Sequence, residues 1–171
     1  MNDFFIADTH FHHTNILTWS DRPFKSVEEM NETLIQNWNK IIRKKSKDKV
    51  YVLGDFSFGN SYQVSKIIRK LNGTKILIMG NHDRKRTRTW WLNVGFDRVI
   101  EFPVIYKNEY VLSHEPINIG LKNIHGHLHN KQIYMKSHFS VCAEQIDYAP
   151  IRFDILLKKW VKIDKERRDR N

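Results

Sequence analysis

Five short motifs between residues 8 and 129 supply four histidines, two aspartates and one asparagine that together make the donor set of a divalent-metal cage, with His82 and Asp83 beside them. The motifs are Asp8-Thr9-His10, Gly54-Asp55, Gly80-Asn81-His82-Asp83, His114 and Gly126-His127-Leu128-His129. Carboxylate oxygen and imidazole nitrogen suit Mn2+, Fe, Zn2+ or Ni2+, with Mn2+ the first expectation. The single cysteine excludes an all-thiolate structural zinc site. The donors suffice for two adjacent ions. Asp55 has two oxygens with which to bridge them, Asn81 offers a neutral carbonyl oxygen, and His114 and His127 complete the second ion. Two ions about 3.5–4 Å apart bring a bound water toward a pKa of about 7 and clamp the oxygens of an in-line displacement at phosphorus. No Ser or Cys nucleophile is then needed. His82, beside Asn81 and not required as a ligand, is placed to give a proton to the leaving oxygen or to hold a phosphate oxygen as a cation.

Taken singly the motifs carry little weight, because Asp-x-His and Gly-Asp are common by chance and Gly-Asn-His-Asp is also an ordinary loop composition. Their order in combination carries the reading, with His125-Gly126-His127-Leu128-His129 the strongest piece. Asp8 and His10 are two residues apart, as are His127 and His129, and in extended chain that spacing puts each pair on one side. His13 and Asn15 lie close enough to the first motif to touch substrate, or to brace its loop. His12 and His138 read as surface or core residues, and His125 as one that orients a ligand. Trp90-Trp91 follows the basic run Arg84 to Arg88; the pair either stacks a base beside a phosphate-binding patch that includes Arg84, or is half core and half boundary.

The elements that must position these residues are legible from periodicity. Phe4–Ala7, Val50–Leu53 and Lys75–Met79 are solid apolar runs that end at Asp8, Gly54 and Gly80. Between them, Ser26-Val27-Glu28-Glu29 opens a helix whose apolar face is Met30, Leu34, Trp38, Ile41 and Ile42, and a second helix runs from about Ser61 to Leu71, closed by Asn72-Gly73. Strands alternating with helices imply a parallel sheet buried on both faces, and its ligand crevice lies outside the carboxyl ends of the strands. The second half reads as short strands at Val99–Phe102, Val104–Tyr106, Tyr110–Leu112, Asn123–His125 and Phe139–Ala143, with a turn at Asn108-Glu109. A closing helix starts near Pro150 and runs through Leu156, Leu157 and Trp160.

At 171 residues the chain suits one domain, residues 1–171, with a basic tail from about residue 158. The net charge of +10 sits in three segments, Arg43 to Lys49, Arg84 to Arg88 and Lys158 to Asn171, each +4, which leaves the remainder slightly acidic. Such clustering suits a polyanionic partner, a phosphorylated small molecule or nucleotide first and nucleic acid as the alternative. No apolar run approaches the length of a membrane span. The expectation is a soluble, cytoplasmic protein with no membrane partner, and Cys142 between Val141 and Ala143 reads as a buried strand thiol. Composition is silent on oligomeric state.

In the order Asp-x-His, Gly-Asp, Gly-Asn-His-Asp, His, Gly-His-x-His, spanning residues 8 to 129, the chain resembles the calcineurin-like metallophosphoesterases, and the compact length is similar to that of small bacterial and phage members. The resemblance implies a four-layer α/β/β/α sandwich of two mixed sheets flanked by helices. It also implies a dinuclear site, with Asp8, His10, Asp55 and His129 on the first ion, Asp55, Asn81, His114 and His127 on the second, and His82 as the catalytic histidine. The activity it implies is hydrolysis of phosphate esters, diesters or nucleotide-like molecules first, with a nuclease or a non-catalytic metal-containing binding protein as alternatives. Two departures stand out. Phe56-Ser57-Phe58-Gly59 occupies the place where the family's protein phosphatases carry Asp and Arg, which argues against a phosphoprotein substrate and leaves the partner of His82 open. His12 stands where small relatives often have Gly.

Overall fold

The structure, a computed structural model, describes residues 1–131 and 136–168. Four strands lie parallel in sequence order: β1 (Asp3–Ile6), β2 (Lys49–Val52), β3 (Thr74–Ile78) and β4 (Arg98–Ile100). Their crossovers contain α1 (Ile16–Trp19), α2 (Val27–Ile41), α3 (Ser61–Lys70) and α4 (Arg88–Val94). Right-handed crossovers between successive neighbouring strands place their helices on one face of the sheet. The other face is left for a second sheet.

That second sheet is β5 (Val104–Tyr106), β6 (Tyr110–Leu112), β7 (Lys122–His125) and β8 (His138–Ser140), with β5 and β6 antiparallel and the others parallel. The two sheets meet through aromatic rings: Phe5 and Tyr51 of the first lie 5.5 and 5.6 Å from Tyr106 of the second. The Tyr106 hydroxyl donates to Asp3. β9 (Ile151–Arg152) adds antiparallel to β1, and α5 (Phe153–Arg168) packs Trp160 on Phe139 and Tyr110. The architecture is thus the four-layer α/β/β/α sandwich of two mixed sheets flanked by helices. Among the described residues no helix is long and apolar enough to cross a membrane.

Local chemistry explains where the helices begin. The Ser26 hydroxyl accepts from the Glu29 N–H at 3.1 Å, and Asn60 and Gln63 form a reciprocal capping box at α3. Three expectations shift. The closing helix begins at Phe153 rather than near Pro150, because Ile151 pairs with Phe5 and extends the sheet. The run Phe139–Ala143 is strand only to Ser140; Cys142 then bridges Ala7, buried as expected, and Ala143 opens a 3-10 turn. The basic segment from Lys158 continues α5 as far as Arg168. α1 and α4 were not legible, since four- and seven-residue helices show too few turns for periodicity to register.

Candidate metal centre

Asp8, Asp55 and Asn81 all follow the carboxyl ends of adjacent parallel strands, and the second sheet delivers His114 after β6 and His127 and His129 after β7. Bringing seven polar side chains to one point distorts the backbone. Asp8, His10, Asp55, His127 and His129 all have left-handed φ, from 49° to 72°. Non-glycine residues seldom adopt that conformation, and such strain persists only where surrounding structure enforces it. It also corrects the expectation of extended chain: Asp8 and His10 share a side through turned backbone, as do His127 and His129. Close approach demands glycine at two of the junctions. A Cβ on Gly126 would stand 2.5 Å from Asp8 Oδ2, and one on Gly80 would collide with Asp55 Oδ1.

The donor atoms converge in two groups. Nε2 of His10 lies 3.7 Å from Asp8 Oδ1 and 3.7 Å from Asp55 Oδ2, and Nε2 of His129 lies 3.7 Å from Asp8 Oδ1. On the other side of Asp55, His114 Nε2 is 3.5 Å from Oδ2, 2.9 Å from Asn81 Oδ1 and 3.2 Å from His127 Nδ1. The sets Asp8, His10, His129 and Asp8, Asp55, His114 each offer ligand atoms within 4.8 Å of one another.

These atoms fit a cation because they repel or ignore one another without it. His114 Nδ1 faces the Leu53 carbonyl at 2.9 Å and so carries the ring proton of the neutral imidazole, leaving a lone pair on Nε2 turned toward other acceptors. His10 Nδ1 is occupied by His13 at 3.1 Å, while His10 Nε2 and Asp8 Oδ1 are buried with no hydrogen-bond partner. Orphaned buried acceptors cost about 1–3 kcal/mol each unless something positive joins them.

The electrostatics agree. Burial alone would raise the Asp8 carboxyl, but positive charge on the surrounding rings of His10, His114 and His129, the place a cation takes when those rings are neutral, outweighs it and holds the group well below the usual carboxylate range. Burial and the charge of Asp8 push Asp55 up to about 7. Burial lowers His10 to about 4, which keeps it neutral and able to donate a lone pair.

A supporting shell that the motifs did not announce holds the ligands. Glu144 Oε1 accepts from His129 Nδ1 at 2.9 Å and from Arg22 Nε and Nη2 at 2.9 and 2.7 Å. Arg22 also donates to the carbonyls of Asp8 and Thr9. Asp83 accepts the backbone N–H groups of Asp55, Phe56 and Gly80 at 2.7, 3.1 and 2.9 Å, tying two ligand loops together. Spacing gives no signal for Arg22 or Glu144. Asp83 stood within a motif, and only its role was hidden.

Of the remaining candidates, His82 stands at the rim, its Nε2 3.8 Å from Asp55 Oδ2 and its ring 4.8 Å from Phe58. Its Nδ1 has no hydrogen-bond partner among the described residues. His13 lies behind His10 and stacks on Phe58 at 3.8 Å. Asn15 is exposed ahead of α1, and Arg84 is half-exposed and 3.8 Å from Glu115; neither belongs to the cluster. His125 bonds the carbonyl of Gly126 and packs near His138 rather than touching a ligand ring.

The family model of calcineurin-like phosphoesterases matches residues 4–170. The chain belongs to the calcineurin-like phosphoesterase family. An uncharacterized protein of the archaeon Methanocaldococcus jannaschii is 36% identical over 169 residues, covering 91% of this chain and 89% of the relative. The crystal structure of a protein of unknown function from Aquifex aeolicus superposes with a TM-score of 0.71 at 26% identity, over 92% of this chain and 98% of that one. Calcineurin-like phosphoesterases hydrolyse phosphoesters with divalent metal ions, and the Asp and His groups of this member are arranged to hold such an ion.

Proposed function

We propose that the chain is a dinuclear phosphoesterase, most at home on phosphodiesters or nucleotide-like small molecules. Asp8, His10, Asp55 and His129 would hold the first ion, and Asp55, Asn81, His114 and His127 the second. The carrying observation is Asp55 Oδ2, which lies 3.5–3.8 Å from the Nε2 atoms of His10, His114 and His82 at once. One carboxylate oxygen thereby faces both ligand groups and the rim histidine. Mn2+ is the first choice of metal, with Fe, Zn2+ or Ni2+ as alternatives for the same oxygen and nitrogen donors.

When bound, the pair of cations would supply a water acidified to a pKa near about 7 and charge neutralisation at the phosphoryl oxygens. The chain's own residues do the rest. Glu144 and Arg22 hold His129 and the Asp8 carbonyl in place, and Asp83 fixes the loops that carry Asp55 and Asn81. His82, partly exposed beside Asp55, gives a proton to the leaving oxygen. His13, Asn15 and Arg84 remain our candidates for contact with substrate, and the buried single cysteine suits a cytoplasmic setting.

The test is turnover of 4-nitrophenyl phosphate and bis(4-nitrophenyl) phosphate with added Mn2+. Diester hydrolysis that Asp55→Ala abolishes supports the reading, whereas Asp55→Ala matching the unaltered protein would sink it.

A further inference from the structure

α3 and α4 follow the loops that carry Asp55 and Asn81, so both helices start at the metal end of the sheet and run away from it side by side. Between them lies an open groove of about 810 Å³. α3 contributes Tyr62, Lys66, Arg69 and Lys70 to its wall, and α4 contributes Trp90; among the described residues no acidic one lines it. Tyr62 is 74% exposed. Lys66 and Arg69 are exposed, and the Lys70 ammonium lies 3.6 Å from the half-exposed Glu32. The Arg86 guanidinium lies 4.8 Å from the Trp90 ring, which is held edge-on by buried Trp91.

A rising line of cations interleaved with two aromatic rings is what a flexible polyanion with planar groups requires, phosphates taking the charges and bases the ring faces. From Tyr62 to Lys70 the helix rises about 12 Å, so the row is longer than a mononucleotide needs. Basic side chains link this wall to the rim of the metal centre: Arg86 lies against Trp90, and Lys85 lies 5.9 Å from the ring of Phe58, which packs 4.8 Å from His82.

We infer that this groove binds single-stranded nucleic acid and feeds it toward the metal centre. That the strand is also cut rests on the phosphoesterase reading above; that it is bound does not. Lys66 and Arg69 hold backbone phosphates, and Tyr62 and Trp90 stack bases.

The experiment is fluorescence anisotropy of a labelled oligothymidylate titrated with the full chain in EDTA, across a series of NaCl concentrations. Affinity is expected to fall steeply with salt. K66A/R69A should flatten the log–log salt slope by about 1.4, two lost single-strand phosphate contacts, and Y62A should weaken binding roughly tenfold. K44A/K47A, an equal charge removal at the opposite end of the sheet, should bind like the unaltered protein at moderate salt. Unaltered melting temperatures for all variants confirm that the fold is intact. Binding unaffected by K66A/R69A, equal loss in K44A/K47A, no effect of Y62A, or tighter binding to phosphatidylserine vesicles than to the oligonucleotide would each overturn the assignment. Hydrolysis of bis(4-nitrophenyl) phosphate by the unaltered protein is scored separately: no turnover with oligonucleotide binding intact removes the phosphoesterase reading and leaves the groove.

Discussion

Glu144 and His129 meet at 2.9 Å, carboxylate Oε1 to ring Nδ1, and that contact decides which nitrogen of His129 faces Asp8. A carboxylate can only accept, so Nδ1 carries the proton and Nε2 presents its lone pair. Partners of this kind typically account for 10–100-fold in metal affinity. Glu144→Ala is therefore expected to weaken binding of one ion by about that factor while the other is retained, as read by metal titration and bound stoichiometry. Two ions held with unchanged affinity would show that Glu144 is merely packing.

Asp83 is buried and accepts three backbone N–H groups, those of Asp55, Phe56 and Gly80. Asp83→Asn turns an amide NH2 or a single oxygen toward donors that need two acceptors. A loss of about 2–3 kcal/mol in urea unfolding follows from the cost of buried unpaired donors. A change below roughly 0.5 kcal/mol would mean the loops are fixed by other means.

The His82 ring nitrogen stands 3.8 Å from Asp55 Oδ2, and the closer contact, at 3.0 Å to Asp55 Oδ1, is made by the His82 backbone N–H, which alanine keeps, so removing the ring should leave the metal complement whole. His82→Ala should lower kcat by about 10²–10⁴ on an alkyl phosphodiester, whose leaving oxygen needs a proton, and by much less on a nitrophenyl ester, whose leaving group does not. Equal losses on both substrates would assign His82 to binding the phosphoryl group instead.

The carboxyl of Asp55 is pushed up to about 7 by burial and by Asp8. In the metal-free protein it holds a proton below that pH, and a cation must displace it. Affinity for Mn2+ should rise as pH climbs through the window up to about 7 and level off above it, with proton release on binding near pH 6 that disappears near pH 8. Calorimetry in buffers of different ionisation enthalpy reads this directly, and an affinity flat from pH 5.5 to 8 would contradict it.

The ligand types, their order and their place behind apolar strands were all set by the amino-acid sequence. Solid runs such as Val50–Leu53 mark buried strands, and the chain that leaves a strand's carboxyl end lies in the crevice. Asp8, Asp55, Asn81 and His114 fall there on that ground, and motif order adds His10, His127 and His129 as candidate ligands. Capping chemistry at Ser26 and Asn60 is equally local, and so α2 and α3 were legible.

Tertiary structure alone decided the geometry of the ligands and what supports them. The left-handed backbone at Asp8, His10 and His127 arises from fitting two sheets around one point, which no propensity encodes. Arg22 reaches Glu144 across 122 positions in the chain, and the ring of Phe58 packs 4.8 Å from that of His82. Such contacts depend on strand register and on how the sheets pack, while spacing along a chain records only what neighbours within a few residues of each other will do.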